Sequence, residues 1–580
     1  FHAQPNACGA CGPTLEYSNG AESSDALQSA VYDIKQGKIV AIKGLGGYHL
    51  CVDAFNFSAV ELLRERKNRE EKPFAVMMSD LETVEEYCHL SESEKRLLSS
   101  SKKPIVLLKK REKGLFDSVS PNNNSLGVML PYTPLHALLM KHFECLGFTS
   151  ANISDSPMIY EESTVLSLIA DGVLSHNRKI KRRVDDSVMV VVNDIPHFFR
   201  RARGYAPAPI PIDCDKNILA LGAQQKNTFC ITKSNKAFLS SHLGELDDLD
   251  TIIEFKSEIN SFCTLFGVKP KLIACDMHPD YFSSQYADSF DLPVVQVQHH
   301  HAHFASVLAE NCIDRSIFGF IFDGTGYGTD GSIWGGEMLF GQVSDSKRIG
   351  HLRQFPLLGG EAAIKQPWRI GLGLLEIAFG KDMTSYFPKH INESKILLNA
   401  YSKGINSPLT SSMGRLFDGI AAIINLRTEC SYEGQAAIEL EQIMCDESVS
   451  AYSFEIVLEN DIMVFDWRGL VRNVVYDIEN GVSKAIIAKK FHNACIDLVV
   501  DAAKIAFEKY GISEVALSGG VFMNVYLLRN CQKRLEQAGF TCYVNTLVPT
   551  NDGGISYGQA AVASKFIKDG ELCVLQSQEE

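Results

Sequence analysis

Alternating apolar residues in Val294-Val-Gln-Val-Gln298 give way to four histidines in five positions, His299-His-His-Ala-His303. An apolar helical pattern (Phe304, Val307, Leu308) begins at the same point. Period two changing to period 3.6 predicts a strand running into a helix. His299 and His303 then sit one turn apart on one face, about 6 Å apart at Cβ, a spacing that lets two imidazoles hold one divalent metal. A single histidine at a helix start would be read as a cap or a packing group. Four together need polar partners once they are buried, which favours the metal.

At 580 residues the chain is expected to hold about three to four domain-sized units. Hydrophobic content of 45% and charged content of 22% are those of an ordinary globular protein. No apolar run approaches the roughly 18 residues of a membrane span, and no signal peptide opens the chain, so the expected location is the cytoplasm with no membrane partner. Most of the 16 cysteines are scattered singly through apolar segments such as Leu272-Ile-Ala-Cys275, as buried thiols in a reducing compartment would be. A net charge of −14 argues against a nucleic-acid partner. Cys8-Gly-Ala-Cys11 is half of a zinc knuckle with no second CxxC in the sequence. The expectation is a fragment, with structural zinc at Cys8 and Cys11 only when a missing N-terminal segment supplies the other pair.

Three prolines at alternate positions in Tyr205-Ala-Pro-Ala-Pro-Ile-Pro-Ile212 forbid a helix and predict a linker. Before it an α/β unit is read from a helix at Asp25–Gln36 and strands at Lys38–Lys43, Phe74–Met78, Pro104–Leu108 and Ser187–Val192. After it, Ile218–Ile231 and Ile317–Trp334 look like copies of one strand–turn–strand plan, the second with a longer glycine-rich turn. A hairpin-first unit used twice is the pattern of a duplicated actin/Hsp70-like fold.

Four further stretches carry chemistry. Asp323-Gly-Thr-Gly-Tyr-Gly328 follows an apolar strand; its glycines let backbone N–H groups approach a phosphate, although a hairpin turn would also use them. Leu517-Ser-Gly-Gly-Val-Phe-Met-Asn524 reads as strand, double glycine and helix, an arrangement that binds anions or a ribose. Thr550-Asn-Asp-Gly-Gly554 falls between a strand and a small-residue helix, with Asp552 placed as an oxygen ligand. Two imidazoles, one carboxylate and open positions describe a catalytic metal site. Gly414-Arg-Leu-Phe-Asp-Gly419 is read as a helix with a buried Arg/Asp pair, for which a simple salt bridge is an equal explanation. In the first unit, Lys67-Asn-Arg-Glu-Glu-Lys-Pro-Phe74 is a basic cluster before a strand, either a phosphate clamp or a solvated charge run.

These motifs, in this order, resemble the metal- and ATP-binding threonylcarbamoyl transferase (TsaD-like) family. Gln298-His-His-His-Ala-His303 with Gly360-Glu-Ala-Ala-Ile-Lys-Gln-Pro-Trp-Arg369 resembles more closely still the hydrogenase maturation carbamoyltransferases, HypF. Leu130-Pro-Tyr-Thr-Pro-Leu-His136 fits the same family. The resemblance implies a YrdC-like α/β domain followed by a duplicated actin/Hsp70-like (RNase H-like) TsaD-type pair. Residues 1–12 would be a zinc-finger remnant, 13–203 the YrdC-like domain, 204–213 the linker, and 214–316 and 317–580 the two subdomains. It implies a metal, iron or zinc, on His299, His303 and Asp552. It implies ATP with Mg and carbamate at Lys43, Lys67, Arg69, Lys72, Ser150, Asn152, Arg183 and Ser187. Nucleotide contacts in the second half would come from Asp323, Gly324, Thr325, Gly326, Gly335, Gly336, Asp418, Gly519, Gly520 and Asn524. The implied activity is formation of carbamoyl-adenylate from carbamoyl phosphate or carbamate and ATP, then transfer to the C-terminal cysteine of a partner, HypE. That group becomes the cyanide ligand of nickel–iron hydrogenases. The family's acylphosphatase domain is absent from these residues. Rival readings are a tRNA threonylcarbamoyl transferase, which needs a basic RNA surface, a small-molecule O-carbamoyltransferase, and a non-catalytic nucleotide-dependent clamp. The CxxC remnant and the YrdC-first order favour the hydrogenase reading.

Overall fold

The computed structural model describes residues 12–112, 114, 116–152, 158–161, 164–568 and 571–572; Cys8 and Cys11 lie outside them. The chain divides into two compact units, residues 1–206 with 248–253, and 207–247 with 254–580.

The first unit is built on a ten-stranded mixed sheet. Its strands are apolar on both faces, because both are covered. Ala41, Leu50, Val52 and Val76 point to one face, where the helix Phe57–Lys67 packs Ala59, Val60 and Leu63 against them. Val40, Ile42, Cys51 and Met77 point to the other, under the helix Ser23–Lys35. This alternation of apolar with apolar is what a two-sided core requires. Two of the helix starts carry their own local signal: the Asn56 side chain accepts from Ala59 N–H, and Ser91 with Glu94 forms a capping box. Adjacent strands Tyr48–Asp53 and Cys145–Ser150 pair antiparallel with His49 opposite Ser150, which fixes what lies at their shared end.

The second unit holds two sheets of one design. In the first, the central strand Ile218–Ala220 pairs antiparallel with Cys230–Lys233, which pairs with Lys236–Leu239. On its other side run the parallel strands Leu272–Asp276 and Val294–Val297. In the second, Ile317–Tyr327 pairs antiparallel with Ile333–Gly341, then Ser346–Leu352, and is flanked by the parallel strands Glu514–Ser518 and Thr541–Val544. Strand order 3-2-1-4-5 recurs, so the duplication expected from two degenerate segments extends to whole sheets. Between its third and fourth strands the second copy carries a mostly helical insert that includes Pro367–Phe379, Met413–Ile423 and Lys484–Tyr510.

Two boundaries differ from the sequence reading. Ile210–Pro211, placed in the linker, forms an edge strand on Lys236–Leu239, with Ile210 and Ile212 buried. Proline is tolerated there because an edge strand has one side free of ladder bonds. The helix Ile555–Ser564 follows the last strand of the second copy, yet its Ile555, Ala560 and Ala563 share one core with Ile218, Ala274 and Val297 of the first. The chain therefore closes back across residue 316. The Asp323–Tyr327 stretch also lies within its strand, which has a register shift between Phe322 and Gly326. The turn comes later, with Gly328 N–H donating to the Ser332 carbonyl.

Candidate functional site

Each copy sends its fifth strand into a helix: Val294–Val297 into His299–Glu310, and Thr541–Val544, through a turn at Asp552–Gly554, into Ile555–Ser564. The two helices cross in contact. A Cβ at Gly558 would lie 1.9 Å from the Ala302 carbonyl oxygen, so only glycine permits this approach. Their crossing brings His299, His303 and Asp552 together from residues about 250 positions apart.

The histidine helix starts where Gln298 caps it, its side chain accepting from His301 N–H at 2.9 Å. The same amide donates to the Tyr327 carbonyl at 2.9 Å, which ties the helix start to the neighbouring sheet. His299 Nδ1 faces the buried carboxylate of Asp276 at 2.8 Å, leaving Nε2 to point into the site. Both Nε2 atoms face Asp323 Oδ2, at 3.3 Å from His299 and 3.2 Å from His303. Asp552 Oδ1 lies at 3.8 and 3.7 Å from the same atoms. The four donor atoms fall within 4.8 Å of one another. Ligands about 2.0 Å from a tetrahedral ion are about 3.3 Å apart, so two nitrogens and two carboxylate oxygens at these spacings fit a divalent ion. His299 Nε2, buried and without a hydrogen bond, is an atom the ion would satisfy.

Electrostatics follow from this crowding. Burial disfavours the imidazolium at His299, but Asp276 and Asp323 outweigh it and draw the ring well above its ordinary range. His303 moves the same way, through Asp323 and Asp552. Burial also opposes ionisation of Asp323, yet the two histidines beside its carboxylate hold it well below the usual carboxylate range. Asp323, expected at nucleotide phosphates, thus faces the two imidazoles, while its Oδ1 accepts from Gly520 N–H at 3.0 Å. His300 and His301 point elsewhere: His300 Nδ1 lies 3.1 Å from Gln298 Nε2, and His301 Nε2 3.3 Å from the Gln342 carbonyl.

The double-glycine motif meets the same carboxylate through Gly520. Gly519 adopts φ +98°, and Gly520 opens the short turn ahead of the helix Val525–Gln537. Asn524 caps that helix by accepting from Leu527 N–H at 2.8 Å, and its Nδ2 reaches His492 Nε2 at 2.9 Å. Asp418 pairs with Arg415 at 2.8 Å, and burial pushes its carboxyl up to about 6. Gly326 lies against the His299 and His300 rings. Gly324 and Thr325 continue the bulged strand, half-buried. Gly335 and Gly336 give their N–H groups to Glu337 Oε1 at 2.9 and 3.1 Å, so those amides are engaged inside the protein.

In the first unit, Lys67, Arg69, Ser150 and Asn152 come together. Lys67 Nζ donates to the Ser150 carbonyl, the Asn152 carbonyl and Asn152 Oδ1 at 2.7, 2.6 and 2.8 Å. Arg69 reaches Thr149 Oγ1 at 3.3 Å and lies over the Phe74 ring. Lys72 is exposed, and Lys43 donates to the His176 carbonyl at 3.0 Å. Arg183 is buried. Ser187 is a structural tie, accepting from Ala202 N–H and donating to the Arg203 carbonyl. Sequence reasoning passed over the adjacent cluster in which Asp186 pairs with His49 at 3.2 Å and Arg203 at 2.6 Å, with Arg203 stacked on Tyr132. Its members come from four separate segments and leave no spacing to read. Asp276 was missed for the same reason.

Three family descriptions match consecutive parts of the chain: "Telomere recombination" (Sua5/YciO/YrdC) at residues 33–202, "HypF Kae1-like domain" at 213–310, and "Carbamoyltransferase, Kae1-like Domain, second subdomain" at 319–559. Carbamoyltransferase HypF of Synechocystis sp. is 44% identical over 566 residues, 93% of this chain and 73% of that protein. Carbamoyltransferase HypF of Rhizobium leguminosarum bv. viciae is 38% identical over 559 residues, covering 94% and 73%. A crystal structure of full-length HypF in the phosphate- and nucleotide-bound form matches with a TM-score of 0.94 at 44% identity, over 98% of this chain and 76% of that one.

Proposed function

Since this chain belongs to the HypF carbamoyltransferases of hydrogenase maturation, we propose that it runs carbamoyl transfer as two stations in series. At the first, in the YrdC-like unit, ATP with Mg and carbamate from carbamoyl phosphate give carbamoyl-adenylate and pyrophosphate. At the second, the C-terminal cysteine thiolate of HypE attacks the carbamoyl carbon, the bond to the phosphate oxygen breaks, and AMP leaves with the electron pair. Carbamate itself is a poor acyl donor, and adenylation supplies the leaving group.

The observation that carries this reading is the cluster of His299, His303, Asp323 and Asp552, four convergent donors on a buried helix crossing. Iron or zinc held there would supply Lewis acidity to the mixed anhydride. The chain's own residues supply the rest. Asp276 orients His299 through Nδ1. Asp323 joins the cluster to the Gly519–Gly520 turn through the Gly520 amide. Burial of the donors keeps water from a labile acyl group.

The test is direct. Incubation with ATP, Mg and carbamate or carbamoyl phosphate should support ATP–pyrophosphate exchange, and adding HypE should release AMP as well as pyrophosphate. Chelator-stripped protein should keep that exchange and lose carbamoylation of HypE. Release of ADP in place of AMP would sink the adenylate route.

A further inference from the structure

In the first unit, the helix Phe57–Lys67 turns one buried arginine toward two loops at once. Arg64 is 5% exposed. Its Nη1 is shared among the carbonyls of Arg69, Glu70 and Lys72, at 3.2, 3.2 and 3.1 Å. Its Nε and Nη2 donate to the Ser118 and Val119 carbonyls at 2.8 and 3.0 Å. The Val119 carbonyl also accepts from Phe74 N–H at 2.9 Å. One guanidinium thus ties the segment after the helix to a second loop. Its planar fork of fixed donor directions suits that task, and the point charge of an ammonium does not. A loop whose carbonyls converge on one buried cation is ordered before any ligand arrives.

The same loop joins Arg64 to Arg69. The Lys72 carbonyl accepts from Arg64 Nη1 at 3.1 Å and from Arg69 Nε at 3.2 Å. Both guanidinium groups lie over the Phe74 ring, with Cζ 4.5 Å from its centroid for Arg64 and 5.2 Å for Arg69. Phe74 is itself buried, so the ring is a fixed platform. Arg69 is completed by the Pro73 carbonyl at 2.5 Å and Thr149 Oγ1 at 3.3 Å. The Lys72 carbonyl and the Phe74 ring, which both hold Arg69, are therefore held in turn by Arg64. The two cations differ in exposure: Arg64 is buried, and Arg69 is half-buried.

We propose that Arg64 is a positioning residue for the first half-reaction: it touches no substrate and sets the direction of the Arg69 guanidinium through the Lys72 carbonyl and the Phe74 ring. The proposal rests on the reading of residues 67–74 as the basic box of the adenylation station. One arginine then meets the ligand's anionic groups while the other, inside the protein, keeps it aimed. A charge-assisted contact depends on direction, so a small swing of Arg69 costs rate even when its charge stays in place.

The experiment is a double-mutant cycle read by ATP–pyrophosphate exchange of the whole chain with Mg and carbamoyl phosphate, with denaturation midpoints measured on the same preparations. In folded Arg64→Met, kcat/KM for ATP should fall about tenfold. Arg64→Lys, which keeps the charge and part of the donor set, should fall less. The double variant Arg64→Met/Arg69→Ala should match Arg69→Ala alone to within about twofold, because Arg64 acts only through Arg69. A purely structural arginine would instead lower the midpoint and leave exchange in the folded protein unchanged, or its loss would multiply with that of Arg69→Ala; either result overturns the proposal. Should Arg64→Met fail to fold, Arg64→Lys and Arg64→Lys/Arg69→Ala carry the same cycle. Exchange unaffected by Arg69→Ala sinks the reading of the basic box itself, whereas exchange impaired by Arg69→Ala and untouched by the Arg64 variants sinks only the positioning role.

Discussion

At the scale of single residues, the helix places His299 and His303 side by side, and carboxylates decide what their rings do. Asp276 holds His299 Nδ1 and so presents Nε2 inward. Replacing Asp276 by Asn removes that charge while preserving size. Metal affinity is expected to fall 10–100-fold, as for other partners that orient a ligating histidine, with the fold retained. Metal titration followed by circular dichroism checks both parts, and undiminished affinity in Asp276→Asn would remove its orienting role. The i,i+4 pair was legible because a helix turns spacing into direction. Asp323 was not, because its glycine-rich surroundings look like a phosphate loop until the strand carrying it is laid beside the helix. Lys67, expected from the sequence either in a phosphate clamp or in a solvated charge run, is buried and donates to three oxygens of the Ser150–Asn152 loop.

At the scale of elements, the crossing of His299–Glu310 with Ile555–Ser564 sets the distance between the histidines and Asp552. Gly558 is its closest point, against the Ala302 backbone. Gly558→Val must push the helices apart, an overpacking cost of about 1–3 kcal/mol. Because the shift acts on the spacing of the donors, metal occupancy should drop more than stability does. Denaturation midpoints and metal content, measured on one preparation, separate the two effects; full metal occupancy in a destabilised variant would show that the crossing does not set the site. A second tie guards the same geometry. Glu310, at the end of the histidine helix, accepts from Thr546 and Leu547 in the loop leading to Asp552. The strand and helix assignments around these points were readable in the sequence from apolar periodicity and caps, with ends moving by a residue or two.

At the scale of the whole molecule, two stations imply two separable losses. Asp552→Ala should leave ATP–pyrophosphate exchange nearly intact and stop transfer. Arg69→Ala should lower exchange about ten- to a hundredfold, the effect of removing a charge-assisted contact worth roughly 1.5–3 kcal/mol. Equal loss of both half-reactions in folded Asp552→Ala would demand a single composite site. Stability should also depend on pH through His492, which is fully buried, hydrogen-bonded to the Ala488 carbonyl and Asn524, and pushed by burial down to about 4. The native ring stays neutral while the unfolded chain takes up a proton below about pH 6.5. Stability is therefore fully present above that pH and is lost as pH falls toward 4, by about 3 kcal/mol in all. His492→Gln should flatten the urea-midpoint difference between pH 7 and pH 5, and an unchanged slope would place the pH dependence elsewhere. Among the described residues no helix is long and apolar enough to cross a membrane, and the 13 cysteines found there are free thiols.

What the sequence determined by itself was whatever is fixed within about ten residues of chain: the strand that becomes a helix at His299, the pairing of His299 with His303, the capped helix starts, and the hairpin that opens each copy. Those features follow from periodicity and local hydrogen bonding, which need no distant partner. Only the tertiary structure decided that Asp323 joins the imidazoles, that Asp276 stands behind them, that Ile555–Ser564 returns to the first copy's core, and that Arg64 meets the Ser118 and Val119 carbonyls. Each of these contacts joins groups tens to hundreds of residues apart. Their proximity is set by how two sheets and two helices bury their apolar faces, an outcome of packing that no spacing along the chain encodes.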